Sequence, residues 1–134
     1  MDAAETHRDR VICGLLALRE DPGCIEAHLF LAEHVIEDWE CYAHLSKAVE
    51  TGRALWEPVA AREAAADEGF SWWGVFATRP YMRAIAALAD WQREHGDVES
   101  AAELYQDLLA KNPHDNQGIR YKLAAMPEAV TPGM

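Results

Sequence analysis

Residues 82–113 read MRAIAALADWQREHGDVESAAELYQDLLAKNP, and the spacing within them decides the fold. Ile85, Leu88 and Ala89 recur at three- and four-residue intervals, as do Ala101, Tyr105 and Leu108, so each half predicts an amphipathic helix. Gly96-Asp97 breaks the first helix and Asn112-Pro113 ends the second. Two antiparallel helices approach closely where small residues meet, here Ala89 against Ala101. Leu88 and Tyr105 then fill the space on either side of the crossing.

The same period runs outward in both directions. Upstream, a helix over about 4–19 carries Val11, Ile12, Leu15, Leu16 and Leu18 and stops at Asp21-Pro22-Gly23. A second, over about 25–36, carries Leu29, Phe30, Leu31, Ala32 and Val35. A third, over about 39–55, carries Tyr42, Leu45, Ala48, Val49 and Leu55. Pro58 predicts the first turn of a short helix to Asp67, because its missing N–H costs nothing there, and Gly69 ends it. Pro80 predicts another helix start, with Arg79 extended before it. A last helix is expected over about 115–125, followed by a flexible tail over 126–134. Strand signals, alternating β-branched residues between tight hairpins, are missing. The fold class is all-α.

Composition bounds the function. The chain has 134 residues, half of them hydrophobic, and a formal charge of −11, with a pI near 4.8. That balance opposes phosphate backbones and anionic lipid, so neither nucleic acid nor a membrane surface is an expected partner. The opening Met1-Asp2-Ala3-Ala4-Glu5 lacks the basic start and apolar core of a signal peptide. Cys13, Cys24 and Cys41 are an odd set without metal-like spacing, read as reduced thiols in a cytoplasm.

Helix pairs closed by a proline point to a repeat. The segment 82–113 resembles one tetratricopeptide repeat. Residues 25–56 give a weaker match through Ile25, Leu31, Ala32, Cys41, Leu45 and Ala48, with a turn about three residues short and a second helix that overruns the usual proline. Asn116-Gln117-Gly118-Ile119-Arg120 opens a helix similar to the first half of another repeat. "TRPYMRA" (78–84) and "YQDLLAKNPHDNQGIR" (105–120) are similar to a bacterial branch of tetratricopeptide proteins near the suppression-of-tumorigenicity-seven family. The resemblance covers roughly 25–124. It implies a superhelical stack of antiparallel helix pairs with a C-terminal capping helix, acting as a protein-binding scaffold without a catalytic residue. The expected organisation is one domain over 1–125, with units at 25–56 and 82–113, a connection at 57–81 and a cap at 115–125.

The connection holds the oddest stretch, FSWWGVF (70–76). Phe70, Trp72, Trp73, Val75 and Phe76 suit a brace that folds over exposed apolar edges, each buried ring removing 150–250 Å² from water. "GFSWWG" is a faint match to the nucleophile elbow, yet it lacks the flanking strand and helix and has Trp73 where a small residue is needed. Cys41 and His44 stand at i and i+3, near His34 and Glu37, and a helix offers two metal ligands at that spacing. Against this, Cys41 falls at a small inward position and His44 on the outer, solvated side. Glu33, Glu37, Asp38 and Glu40 read as a solvated acidic turn.

Repeat stacks bind on their concave face. Helix position puts Glu26, Leu29 and Glu33 on its first strip, Arg83, Ala86, Asp90 and Arg93 on its second, and Gln117 with Arg120 on its third. Repeats that clasp chaperone tails also need asparagine where this chain has Phe30, Ala87 and Tyr121. The expected function is a non-enzymatic scaffold that binds a peptide or protein partner there, or assembles with itself, and uses no cofactor. The alternative is a small helical enzyme or metal-binding accessory protein with a site near His34 and Cys41.

Overall fold

The structure is a computed structural model that describes residues 3–65 and 70–126. The described residues form six α-helices and a 3-10 turn, with no strand among them. The helices are α1 (Ala3–Glu20), α2 (Ile25–His34), α3 (Asp38–Ala65), α4 (Arg79–Glu94), α5 (Val98–Lys111) and α6 (Ile119–Ala124), and the 3-10 turn is Phe76–Thr78. Each helix packs against the next in chain order, and α2 also touches α4.

The α4–α5 hairpin is the core of the molecule. Ala89 on α4 and Ala101 on α5 are both fully buried, and Leu88 and Tyr105 are buried with them in the same core. Gly96 turns the chain between them with φ +87°, a conformation open to glycine at no steric cost. Asp97 caps α5 by accepting from the Ser100 amide. Against the other side of α4 lies α3, through Leu45, Ala48 and Val49. Gly52 lets α3 approach so closely that a Cβ there would overlap the Tyr81 ring.

Five expectations need correction. Pro58 does not start a short helix but lies inside one continuous α3 of 28 residues. A proline within a helix leaves one carbonyl without a partner, here that of Ala54, and both Ala54 and Pro58 are exposed. On the opposite side, Trp56 and Ala60 pack on the core, and Glu57 accepts from the Tyr81 hydroxyl at 2.9 Å. Tertiary contacts on both sides of the proline keep the helix going. The expected end at Gly69 lies outside the described residues.

Arg79 is helical, not extended (φ −59°, ψ −38°). The 3-10 turn winds the chain before Pro80 arrives, and the arginine is held from its side chain. Its Nε donates to the Trp73 carbonyl at 2.8 Å, while the guanidinium lies over the Trp73 and Phe76 rings at 4.5 and 4.3 Å. Thr78 locks the turn, its hydroxyl bonded to the carbonyls of Trp72 and Val75.

The last helix starts at Ile119 rather than 115. Asp115 has φ +57° and turns its carboxylate onto the amides of Ile119 and Arg120 at 2.6 and 2.9 Å. It satisfies two donors that the start of a helix otherwise leaves open. Met126, expected as the first residue of the tail, is buried against the core; the tail beyond it lies outside the described residues. The brace also differs in detail. Trp72 is the buried ring at 8% exposure, Trp73 is partly buried, and Phe76 is 76% exposed. Trp72 meets Phe70 edge-on at 4.9 Å and Tyr81 at 5.8 Å, with the Lys111 ammonium over its ring at 4.8 Å.

Candidate functional site

Where α2 and α4 touch, their outer strips enclose a groove of about 310 Å³ lined by Glu26, Leu29, Phe30, Glu33, Arg83 and Ala87. Glu26 and Glu33 are two turns apart on α2 and so share a face. Arg83 reaches across from α4 to Glu26, 2.9 Å from Oε1. Both side chains stay more than half exposed, and a pair in that setting is worth about 0–1 kcal/mol. The contact is a weak latch across the groove.

Of the other four candidate residues, Asp90, Gln117 and Arg120 bond to neighbouring elements of the fold. Asp90 sits two turns beyond Arg83 on α4. It accepts from the Tyr105 hydroxyl on α5 and from Lys122 Nζ on α6, with both lysine contacts at 3.0 Å. Burial, then the Asp90 carboxylate, pushes the Tyr105 pKa well above its ordinary value. Arg93 lies near enough for its charge to oppose that shift. Gln117 donates to the Met82 carbonyl at 3.2 Å. Arg120 turns away to the Pro113 carbonyl at 2.7 Å and stands 3.9 Å from Asp115. Of the three arginines expected on one face, Arg83 lines the groove, whereas Arg120 is tied to the turn that starts α6.

The residues weighed for chemistry are also spoken for. Ser71 Oγ accepts from the Gly74 amide at 3.1 Å, which makes it a turn cap. His34 Nδ1 donates to the Phe30 carbonyl at 2.7 Å and its ring packs on Phe30 at 4.3 Å. Burial, with Asp38 and Glu94 nearby, pushes the Cys41 thiol pKa up, away from the thiolate that metals bind. Among the described residues no group of three or more His, Cys, Asp or Glu is placed to hold a metal ion. Of the acidic turn, Asp38 pairs with His95 Nε2 at 3.3 Å, and that ring stacks on Trp91 at 3.7 Å.

His44, expected on a solvated side, is instead paired with His28. Their Nδ1 atoms are 3.0 Å apart, and His28 Nε2 lies 3.1 Å from the Pro22 carbonyl. A carbonyl only accepts, so His28 carries its proton on Nε2 and offers the Nδ1 lone pair to the N–H of His44. Partners sixteen residues apart on two helices leave no periodic signal in sequence. No helix of the described residues is long and apolar enough to cross a membrane. Comparison with known proteins returns no relative: no family model matches the chain, and neither a curated protein nor a solved structure does.

Proposed function

We propose that the chain is a tetratricopeptide-type stack that docks a peptide or protein segment along the groove between α2 and α4. The reading is supported by packing order. In such a stack the first helices of successive pairs lie side by side, and here α2 touches α4 while α3 packs between the pairs, against both α2 and α4. The observation that carries the docking role is the groove itself. Its floor is Leu29, Phe30 and Ala87, and its rim holds one arginine occupied by a weak, exposed ion pair. A partner carboxylate takes Arg83 from Glu26 at a cost of about 1 kcal/mol or less, and charge-assisted contacts of that kind set specificity and on-rate. The bound segment is therefore acidic or presents a C-terminal carboxylate.

A displayed library of random peptides with free C-termini tests this directly. Enrichment of acidic or C-terminal carboxylates is expected. Arg83→Glu should weaken the selected peptides about 10–100-fold, equivalent to 1.4–2.8 kcal/mol. Glu26→Gln should tighten them, because it frees the arginine. Selection of basic peptides, weakened by Glu26→Gln, would overturn the assignment.

A further inference from the structure

The outer face of α1 is apolar over two turns. Val11-Ile12-Cys13-Gly14-Leu15-Leu16-Ala17-Leu18 is an uncharged apolar run of two full turns. A run of that length wraps the whole helix, so whichever side is packed, the opposite side stays apolar. Among the described residues, one side of α1 is packed. His7, Val11, Gly14 and Leu18 are the less exposed positions and face α2, with Gly14 tight against Leu31 and Phe30. Ile12, Leu15 and Leu16 point away and are 43%, 52% and 51% exposed.

We propose that a second copy of this chain covers this face, with the two α1 helices packed side by side and parallel. Charge names the occupant. Arg8, Arg10 and Arg19 balance Glu5, Asp9 and Glu20, so α1 is neutral in a chain of charge −11. Two copies that meet here escape the repulsion their acidic surfaces exert elsewhere. The charges are also sorted by side. With 3.6 residues per turn, Ile12 and Leu16 form the centre of the exposed face, Arg8 and Arg19 fall on one flank, and Asp9 and Glu20 on the other. All four flanking residues are exposed.

That sorting selects the orientation. A two-fold axis along the helices sets each flank against the opposite flank of the second copy, so that Arg8 meets the partner's Asp9 and Arg19 meets the partner's Glu20. An antiparallel pair would set arginine flank against arginine flank. One helix face is smaller than the roughly 800 Å² per partner of a standard stable interface, so the dimer is weak and concentration-dependent. The face is separate from the α2–α4 groove, and the inference stands or falls without it.

Sedimentation equilibrium of the full chain, from about 1 to 500 μM, is the test, with an expected dissociation constant of roughly 1–100 μM. Leu16→Glu should weaken the dimer at least about 100-fold while melting and circular dichroism stay unchanged. Two charge variants settle orientation: Arg8→Glu with Arg19→Glu, and Asp9→Arg with Glu20→Arg. Each alone should be monomeric, and an equimolar mixture should form a heterodimer. A chain monomeric at every concentration, or a dimer indifferent to Leu16→Glu, overturns the proposal. Charge variants that dimerise as well as the parent, with no gain on mixing, overturn the parallel arrangement.

Discussion

At the scale of single residues, Trp72 and Phe76 stand four positions apart and do opposite things. Trp72 is enclosed by Phe70, Tyr81 and the Lys111 side chain, whereas Phe76 offers its ring to solvent and the Arg79 guanidinium. Trp72→Ala should cost about 3–5 kcal/mol, because the cavity cannot fully close. Phe76→Ala should cost less than about 1 kcal/mol, the scale of an exposed cation–π contact. Urea unfolding of the two variants checks the pair; equal losses would mean that Phe76 shares the burial. Two histidines give the residue scale a pH dependence of opposite signs. Burial, then His28, lowers the His44 pKa, with Glu40 opposing. The folded state resists a proton that the unfolded chain accepts, so this contribution is present above the ordinary histidine range and lost as pH falls through it. The Trp91 carbonyl raises the His95 pKa; desolvation opposes it in part, and Asp38 adds to the rise. Its contribution is present at low pH and lost as pH rises through the folded value. Melting measured between about pH 5 and 8 should therefore show a shallower acid loss in His44→Gln and a steeper one in His95→Gln.

At the scale of elements, α3 is the informative helix. Its 28 residues run through Pro58 because both halves are anchored: Leu45, Ala48 and Val49 before the proline, Ala60 after it. Glu57 adds a link to Tyr81 on α4 and to Lys111 on α5. Local propensity argued for a break, since an interior proline costs about 3 kcal/mol; packing against two other helices outweighed it. Pro58→Ala should restore the missing hydrogen bond and raise stability by about 1–3 kcal/mol, measured by denaturant unfolding. A loss instead would show that Pro58 itself helps to place Trp56 and Glu57. The 3-10 turn before α4 tells the same story. Its geometry comes from Thr78 and Arg79 reaching back to carbonyls of the aromatic stretch, contacts that a rule about residues before proline does not include.

At the scale of the whole molecule, helix content and the α4–α5 crossing were legible because they depend on contacts within one turn and on residue size. Ala89, Ala101, Leu88 and Tyr105 are buried in one core, as helical period assigns them, and Gly96-Asp97 made the expected turn. The candidate face was legible only in part. Glu26, Glu33 and Arg83 do line one groove, since each lies on the strip that helical period assigns it. Asp90 does not join them, because Lys122, thirty-two residues away, holds its carboxylate. Arg120 does not either, because the start of α6 shifted to a cap at Asp115 that draws the arginine back. The outward apolar side of α1 was written in its sequence as an all-round apolar run, but which side stays uncovered depends on Gly14 admitting Leu31. By itself the sequence determined that the described chain is helical and which faces of its helices are apolar, since those follow from neighbours at i+3 and i+4. Only the tertiary structure decided that Pro58 is bridged, that Trp72 rather than Trp73 is enclosed, and that His28 meets His44. Each of those outcomes balances a local preference of a few kcal/mol or less against contacts from residues distant in the chain.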